Sequence, residues 1–158
     1  MNIRFAKKQD VPQILAFIDH LAEYEKLSHE AVATEQQLID TLFGDRIYAE
    51  VLIAETDEGD AAGFALFFHN YSTFLGQAGI HLEDLYVLKK FQGLGIGKAL
   101  LKRLAAITVE RSCGRLEWAV LDWNKPAIDF YISQGAIQME GWTTNRVTAE
   151  ALVNLAKE

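Results

Sequence analysis

The chain has 158 residues, half of them apolar, a formal net charge of −7 and a single cysteine. Its length suits one domain, residues 1–158, with a buried core; its acidity argues against a nucleic-acid partner, which needs a basic surface. Cys113 alone permits no internal disulfide and no cysteine zinc cluster, and no apolar run approaches the roughly 18 residues that span a bilayer.

The amino terminus lacks the apolar core of a signal peptide, so a soluble cytoplasmic protein without a membrane partner is the expectation. Asn2 to Ala6 alternates as a first strand. Asp10 is placed to cap a helix running to about Tyr24, with Val11, Ile14, Leu15, Ile18, Leu21 and Ala22 on its inner face. Thr34 and Gln37 form a capping box for a second helix, ended by Gly44. Tyr48 to Glu55 reads as a strand. Ala62 to Asn70 is apolar almost throughout, as a central strand would be. Gly79 to Val87 is a further strand. A long helix follows from Lys98 to Glu110, and Leu116 to Leu121 is again extended. Asn124 and Pro126 start a helix that Gly135 stops. Two short strands, Ile137 to Glu140 and Trp142 to Val147, and a last helix capped by Thr148 complete the chain. The pattern predicts an α/β (mixed α+β) fold: a mixed sheet of six to seven strands with helices on both faces.

The stretch from Leu82 to Lys98 carries the first chemistry. A strand runs into Gln92-Gly93-Leu94-Gly95-Ile96-Gly97, and a helix opens at Lys98. Glycines let the backbone come close to a ligand, and the free N–H groups of a first helical turn attract anions. The phosphate loop G-x-x-x-x-G-K-[ST] does not fit, because the glycine spacing is one residue short and Ala99 stands where a hydroxyl is needed. The dinucleotide pattern G-x-G-x-x-G fails at Lys98. The pattern [RQ]-x-x-G-x-[GA] after a strand fits in full.

A second motif lies downstream, Asn124-x-Pro126-Ala127-x-x-Phe130-Tyr131-x-x-x-Gly135. With these two motifs in this order, the chain resembles the GNAT superfamily of N-acetyltransferases. Within it the chain is similar to the diamine (spermidine/spermine) N-acetyltransferase group. That likeness extends to Leu21-Ala-x-Tyr24-Glu25, Thr34-Glu-x-x-Leu38, Phe43-Gly44, Tyr71-Ser-Thr-Phe and Leu82-Glu-Asp-Leu-Tyr-Val87. The resemblance implies a twisted sheet splayed open mid-way, acetyl-CoA as co-substrate in the opening, and homodimers. It implies transfer of acetyl from acetyl-CoA to a primary amine by direct attack in a ternary complex.

It also implies roles. Tyr131 would be the general acid facing the CoA sulfur; by spacing alone it is a packed aromatic beside Phe130. Glu83 would bind the acceptor's ammonium and draw off its proton; by pattern alone it is a solvent-facing carboxylate. Glu83 and Asp84 are consecutive, so strand alternation sends at most one of them into the cleft. The backbone of Leu85, Tyr86 and Val87 would bind pantetheine like an added strand, and its N–H groups would polarise the thioester carbonyl. Gln92, Gly93, Leu94, Gly95, Ile96, Gly97 and Lys98 would hold the pyrophosphate. Asn124, Pro126 and Ala127 would meet the pantetheine arm, although Asn124 is equally an N-cap. Tyr24 and Glu25 match the acceptor pocket or else form the frayed end of a surface helix. His20, His29, His69 and His81 show no ligand spacing, so no metal is expected; His81 shares a strand face with Glu83.

One departure concerns the acceptor. Polyamine-acting members carry an acidic residue in the loop Tyr71 to Gly76, where this chain has Ser72 and Thr73. The acceptor therefore stays open between a polyamine or diamine and a thialysine-like amino acid. Two other readings stand beside it: acetylation of a protein amine, and a non-catalytic acyl-CoA-binding module.

Overall fold

The structure, a computed structural model, describes residues 1–157. The chain divides into two compact units, Met1–Leu121 and a second that begins at Asp122.

In the first unit, chain order is β1 (Asn2–Phe5), α1 (Val11–Tyr24), α2 (Glu35–Leu42), β2 (Glu50–Glu55), β3 (Ala61–Ser72), β4 (Gln77–Val87), α3 (Ile96–Glu110) and β5 (Leu116–Trp118). The strands form one sheet in sequence order, β1-β2-β3-β4-β5. The first three pairings are antiparallel; β4 and β5 run parallel, with α3 as the crossover. β3 is central, as its apolar run predicts.

Alternation sorts the strand side chains onto two faces. Val51, Ile53 and Phe64 meet Val11, Ile14 and Phe17 of α1 and Leu38 and Leu42 of α2 in one buried cluster. Its centre is the stack of Phe17 on Phe64, with ring centroids 5.2 Å apart. Leu66, Tyr86 and Leu88 pack at the margin of this cluster. The opposite face lies under α3, whose Leu100, Leu104 and Ile107 are buried. At the end of that helix Arg111 pairs with Glu50 of β2 and lies over the ring of Phe67. Helices therefore cover both faces.

Local chemistry explains most element ends. Thr34 and Gln37 form the predicted capping box at α2. Asp10 precedes α1 without capping it through its side chain. That carboxylate instead takes two hydrogen bonds from the Arg4 guanidinium, at 2.8 and 2.9 Å, and one from the Lys7 N–H. The charge-assisted pair outcompetes the cap and holds the Asp10 carboxyl below its usual range.

The second unit contains α4 (Lys125–Ser133) and α5 (Ala149–Leu155). Asn124 caps α4, its Oδ1 accepting from Ala127 N–H at 3.4 Å, with a proline in the first turn. Gly135, at φ 93°, supplies the left-handed residue after the helix. The expected strands at Ile137 to Glu140 and Trp142 to Val147 do not form, so the sheet has five strands rather than six or seven. A strand needs a ladder partner, and among the described residues none pairs with either segment; Ile137, Met139 and Trp142 are exposed.

The two faces make a direct prediction. Phe64→Ala removes half of a fully buried stack and should cost about 3–5 kcal/mol in urea unfolding. Phe74→Ala, at a fully exposed position in the β3–β4 turn, should change stability by less than about 0.5 kcal/mol.

Candidate functional site

β5 pairs with β4 only at Ile80, Leu82 and His81 between them. Beyond Leu82, residues Glu83 to Val87 of β4 continue along β3 with no strand paired on their other side among the described residues. Hydrogen-bond alternation shows which groups face that open edge. Leu88 N–H donates to Ala62 C=O at 2.9 Å, on the β3 side. In an antiparallel ladder such residues alternate, so Tyr86 and Asp84 also turn their main chain to β3. Leu85 and Val87 turn theirs to the open edge. Tyr86, expected to share in an added-strand contact, has its backbone on the other side.

The glycine turn follows at once. Gln92 Nε2 donates to Val87 C=O at 3.0 Å, closing the turn against the end of the open edge. Gly93 and Gly95 have φ of 81° and 80°, and a Cβ at either would meet nothing within 4 Å. Their need for glycine is thus conformational, with space left above the turn. Gly95 is the N-cap of α3, which starts at Ile96, two residues before the expected Lys98. A glycine cap leaves the first-turn N–H groups without a side-chain acceptor. Leu94 and Lys98 are exposed there, and a Cβ on Gly97 would lie 3.8 Å from the Val87 side chain.

A β-bulge lies where β4 leaves β5. Leu66 pairs with Asp84 and Phe67 with Leu82, so Glu83 is the extra residue. Its consequence overturns the alternation argument. Asp84 stands opposite Leu66, on the face of α1 and α2. His81 stands opposite Phe68 on that same face, with its ring 5.0 Å from the Phe68 ring. Glu83 Oε2 lies 3.5 Å from His81 Nε2. The bulge therefore turns two consecutive carboxylates toward one face, where an unbroken strand would separate them.

Asp84 is the residue that sequence reasoning set aside. Burial pushes its carboxyl up to about 6, aided by the negative charges of Glu83 and Glu25. Glu25, at the end of α1, is itself raised by burial. Glu25, Glu83 and Asp84 thus form one carboxylate group between the end of α1 and the bulge. Tyr86 joins its border: burial, then Glu23 and Tyr24, raise its phenol, and His20 lies over its ring at 6.3 Å. Half-exposed Tyr24 and Glu25 are therefore neighbours of β4 rather than a frayed helix end. Such a group favours a cation, whose charge would relieve the carboxylate repulsion.

The loop Tyr71 to Gly76 has a structural answer for Ser72. Its side chain is buried, and its Oγ accepts from Leu75 N–H at 3.2 Å, closing the β3–β4 turn. In the second unit, Asn124, Pro126, Ala127 and Tyr131 all lie at or on α4. Asn124 is buried and Pro126 exposed, while Tyr131 packs at a tilt on Phe130, ring centroids 5.3 Å apart. No group of three or more His, Cys, Asp and Glu among the described residues has a metal-binding arrangement. No described helix is long and apolar enough to cross a membrane.

Comparison with known proteins meets this geometry. A family model described as Acetyltransferase (GNAT) family matches residues 15–136. A thialysine N-epsilon-acetyltransferase of Bos taurus is 39% identical, over 98% of this chain and 96% of its own length. An L-ornithine N5-acetyltransferase of Arabidopsis thaliana is 33% identical, over 99% of this chain and 88% of its own. An integron cassette protein from the mobile metagenome of V. cholerae has a similar structure: TM-score 0.82, 27% identity, 99% of this chain and 98% of that one.

The raised Asp84 carboxyl predicts a pH-dependent cost. The folded chain holds this proton to higher pH than the unfolded chain, so the group costs nothing below its unfolded value and destabilises as pH rises through about 6. Asp84→Asn should therefore gain about 1–2 kcal/mol in urea unfolding near pH 8 and nothing near pH 4, by comparison of the two titrations.

Proposed function

The chain belongs to the GNAT family of acetyltransferases, and we propose that its acceptor is the primary amine of a small cation, a diamine or polyamine or a thialysine-like amino acid. The observation that carries this is the carboxylate group of Glu25, Glu83 and Asp84 on one face of β4. It stands beside the strand edge whose outward groups come from Leu85 and Val87. Family members use acetyl-CoA as co-substrate, and the chain's own groups suit it. The edge offers the N–H groups of Leu85 and Val87 and the Leu85 C=O to a pantetheine amide, the Val87 C=O being held by Gln92. The turn Gln92 to Lys98 offers first-turn N–H groups to a pyrophosphate. Curated relatives bearing the names thialysine and ornithine acetyltransferase support an amine acceptor.

The roles follow from what the transfer requires. An alkylammonium has a pKa near 10.4 and must shed a proton before its nitrogen attacks. Glu83 accepts that proton through water, while Asp84 and Glu25 hold the acceptor's positive charge. As the new amide bond forms, the carbon–sulfur bond breaks, and Tyr131 gives its phenolic proton to the departing sulfur. The N–H of Leu85 or Val87 polarises the carbonyl under attack. Asn124, Pro126 and Ala127, at the start of α4, guide the pantetheine arm. We read both units as one domain, because the family match runs through their boundary. The reading includes a cytoplasmic homodimer without metal, supported by the single cysteine and by exposed Ile137, Met139 and Trp142 in the second unit.

A CoA-release assay with spermidine, spermine, putrescine, thialysine, ornithine and lysine tests the acceptor class. Saturable turnover of at least one is expected. A flat panel, with acetylation of a protein lysine or amino terminus detected by mass spectrometry, would refute it. Glu83→Gln should lower acceptor kcat/KM about 100-fold with little change in the acetyl-CoA KM, and Tyr131→Phe should lower kcat by a similar factor. The acceptor KM should also rise as pH falls through about 6, because Asp84 then becomes neutral and stops attracting the cation.

A further inference from the structure

His81 belongs to neither sequence motif and has no role in the transfer as described so far. Its surroundings are specific. The ring is held by Phe68 of β3, 5.0 Å away and inclined at 33°. Its Nε2 reaches 3.5 Å from Glu83 Oε2, across the bulge. Its partner in register on β5 is Glu117. That carboxylate is already engaged: Arg115 Nε lies 2.9 Å from its Oε1, and Asn70 Nδ2 donates to the same oxygen at 3.3 Å. Glu83 is thus the carboxylate left for His81, with Asp84 next along the strand and Glu25 beyond it on α1.

We propose that His81 is a positioning residue for Glu83, and that its imidazole passes on the proton that Glu83 receives. This rests on the role given to Glu83 above. The bulge leaves Glu83 outside the regular ladder, on a half-exposed side chain with several rotamers. The imidazole, fixed by Phe68, gives that carboxylate one preferred partner. The proton steps balance. An acceptor N–H bond breaks and a carboxylate oxygen of Glu83 gains the proton through water. That oxygen then releases it to the lone pair of Nε2, leaving imidazolium beside carboxylate. The imidazolium gives the proton to solvent, which restores both groups for the next turnover. A separation of 3.5 Å in the free protein is within the range that tightens when substrate binds.

A double-mutant cycle on the amine turned over fastest in the panel tests this. His81→Phe keeps a ring against Phe68 and removes both nitrogens. It should lower kcat about tenfold and leave the acetyl-CoA KM unchanged. In a Glu83→Gln background the same change should have less than about a twofold effect, because its target is already gone. His81→Gln places an amide near the position of Nε2 without a titrating nitrogen. It should keep the acceptor KM at the native value while kcat stays low. Multiplying effects of the two substitutions would overturn the proposal and leave the Glu83 assignment standing. A silent Glu83→Gln would overturn both. If His81→Phe melts more than a few degrees early, His81→Gln takes its place in the cycle, with the same low kcat and the same coupling expected.

Discussion

β4 outlasts its partner on β5, and it carries a bulge where the two part company. The open strand edge and the carboxylate group of the first unit both depend on that pairing mismatch. A bulge bends its strand and increases the local twist. β5 stops at Trp118 instead of following, so the main chain of Leu85 and Val87 faces an open edge. An open edge in a small protein is a liability unless something occupies it. Here the edge ends against Gln92 and leads into a helix whose first turn has a glycine cap. Strand edge and helix terminus are therefore contiguous, and both offer N–H groups.

The same bulge sets the electrostatics. Glu83 and Asp84 share a face, near Glu25, and Asp84 is largely withdrawn from solvent. Packing carboxylates in this way costs stability at neutral pH. The rest of the unit is built to tolerate it. The core of α1, α2 and the sheet is apolar and closed, centred on Phe17 and Phe64. Its half-buried charges around the sheet are paired at Arg4 with Asp10 and Glu55 and at Arg111 with Glu50. Glu25, Glu83 and Asp84 are three carboxylates drawn together, an arrangement that a cation would relieve.

Much of this was legible from residue order. Periodicity located α1 and α3, the capping box of Thr34 and Gln37 located α2, and an unbroken apolar run identified β3 as central. The glycine turn was legible because Gly93 and Gly95 adopt positive φ, which few other residues accept. The bulge was not. No glycine or proline marks Glu83, and strict alternation separates it from Asp84, so the second carboxylate was set aside. The late strands failed for a different reason. Trp142 to Val147 has strand-forming residues, but propensity does not supply a ladder partner. The engagement of Asp10 with Arg4 rather than with the helix it precedes is likewise a tertiary effect, invisible in local spacing.

The proposed coupling of Glu83 and Asp84 at the bulge into one cation-binding group has a spectroscopic readout. Carbon-13 NMR titration of the Asp84 carboxyl tests it most directly. The midpoint should be about 6 in the free protein, lower in Glu83→Gln and lower again when a saturating diamine is present. An Asp84 midpoint in the ordinary carboxylate range, unmoved by Glu83→Gln and by amine, would contradict it.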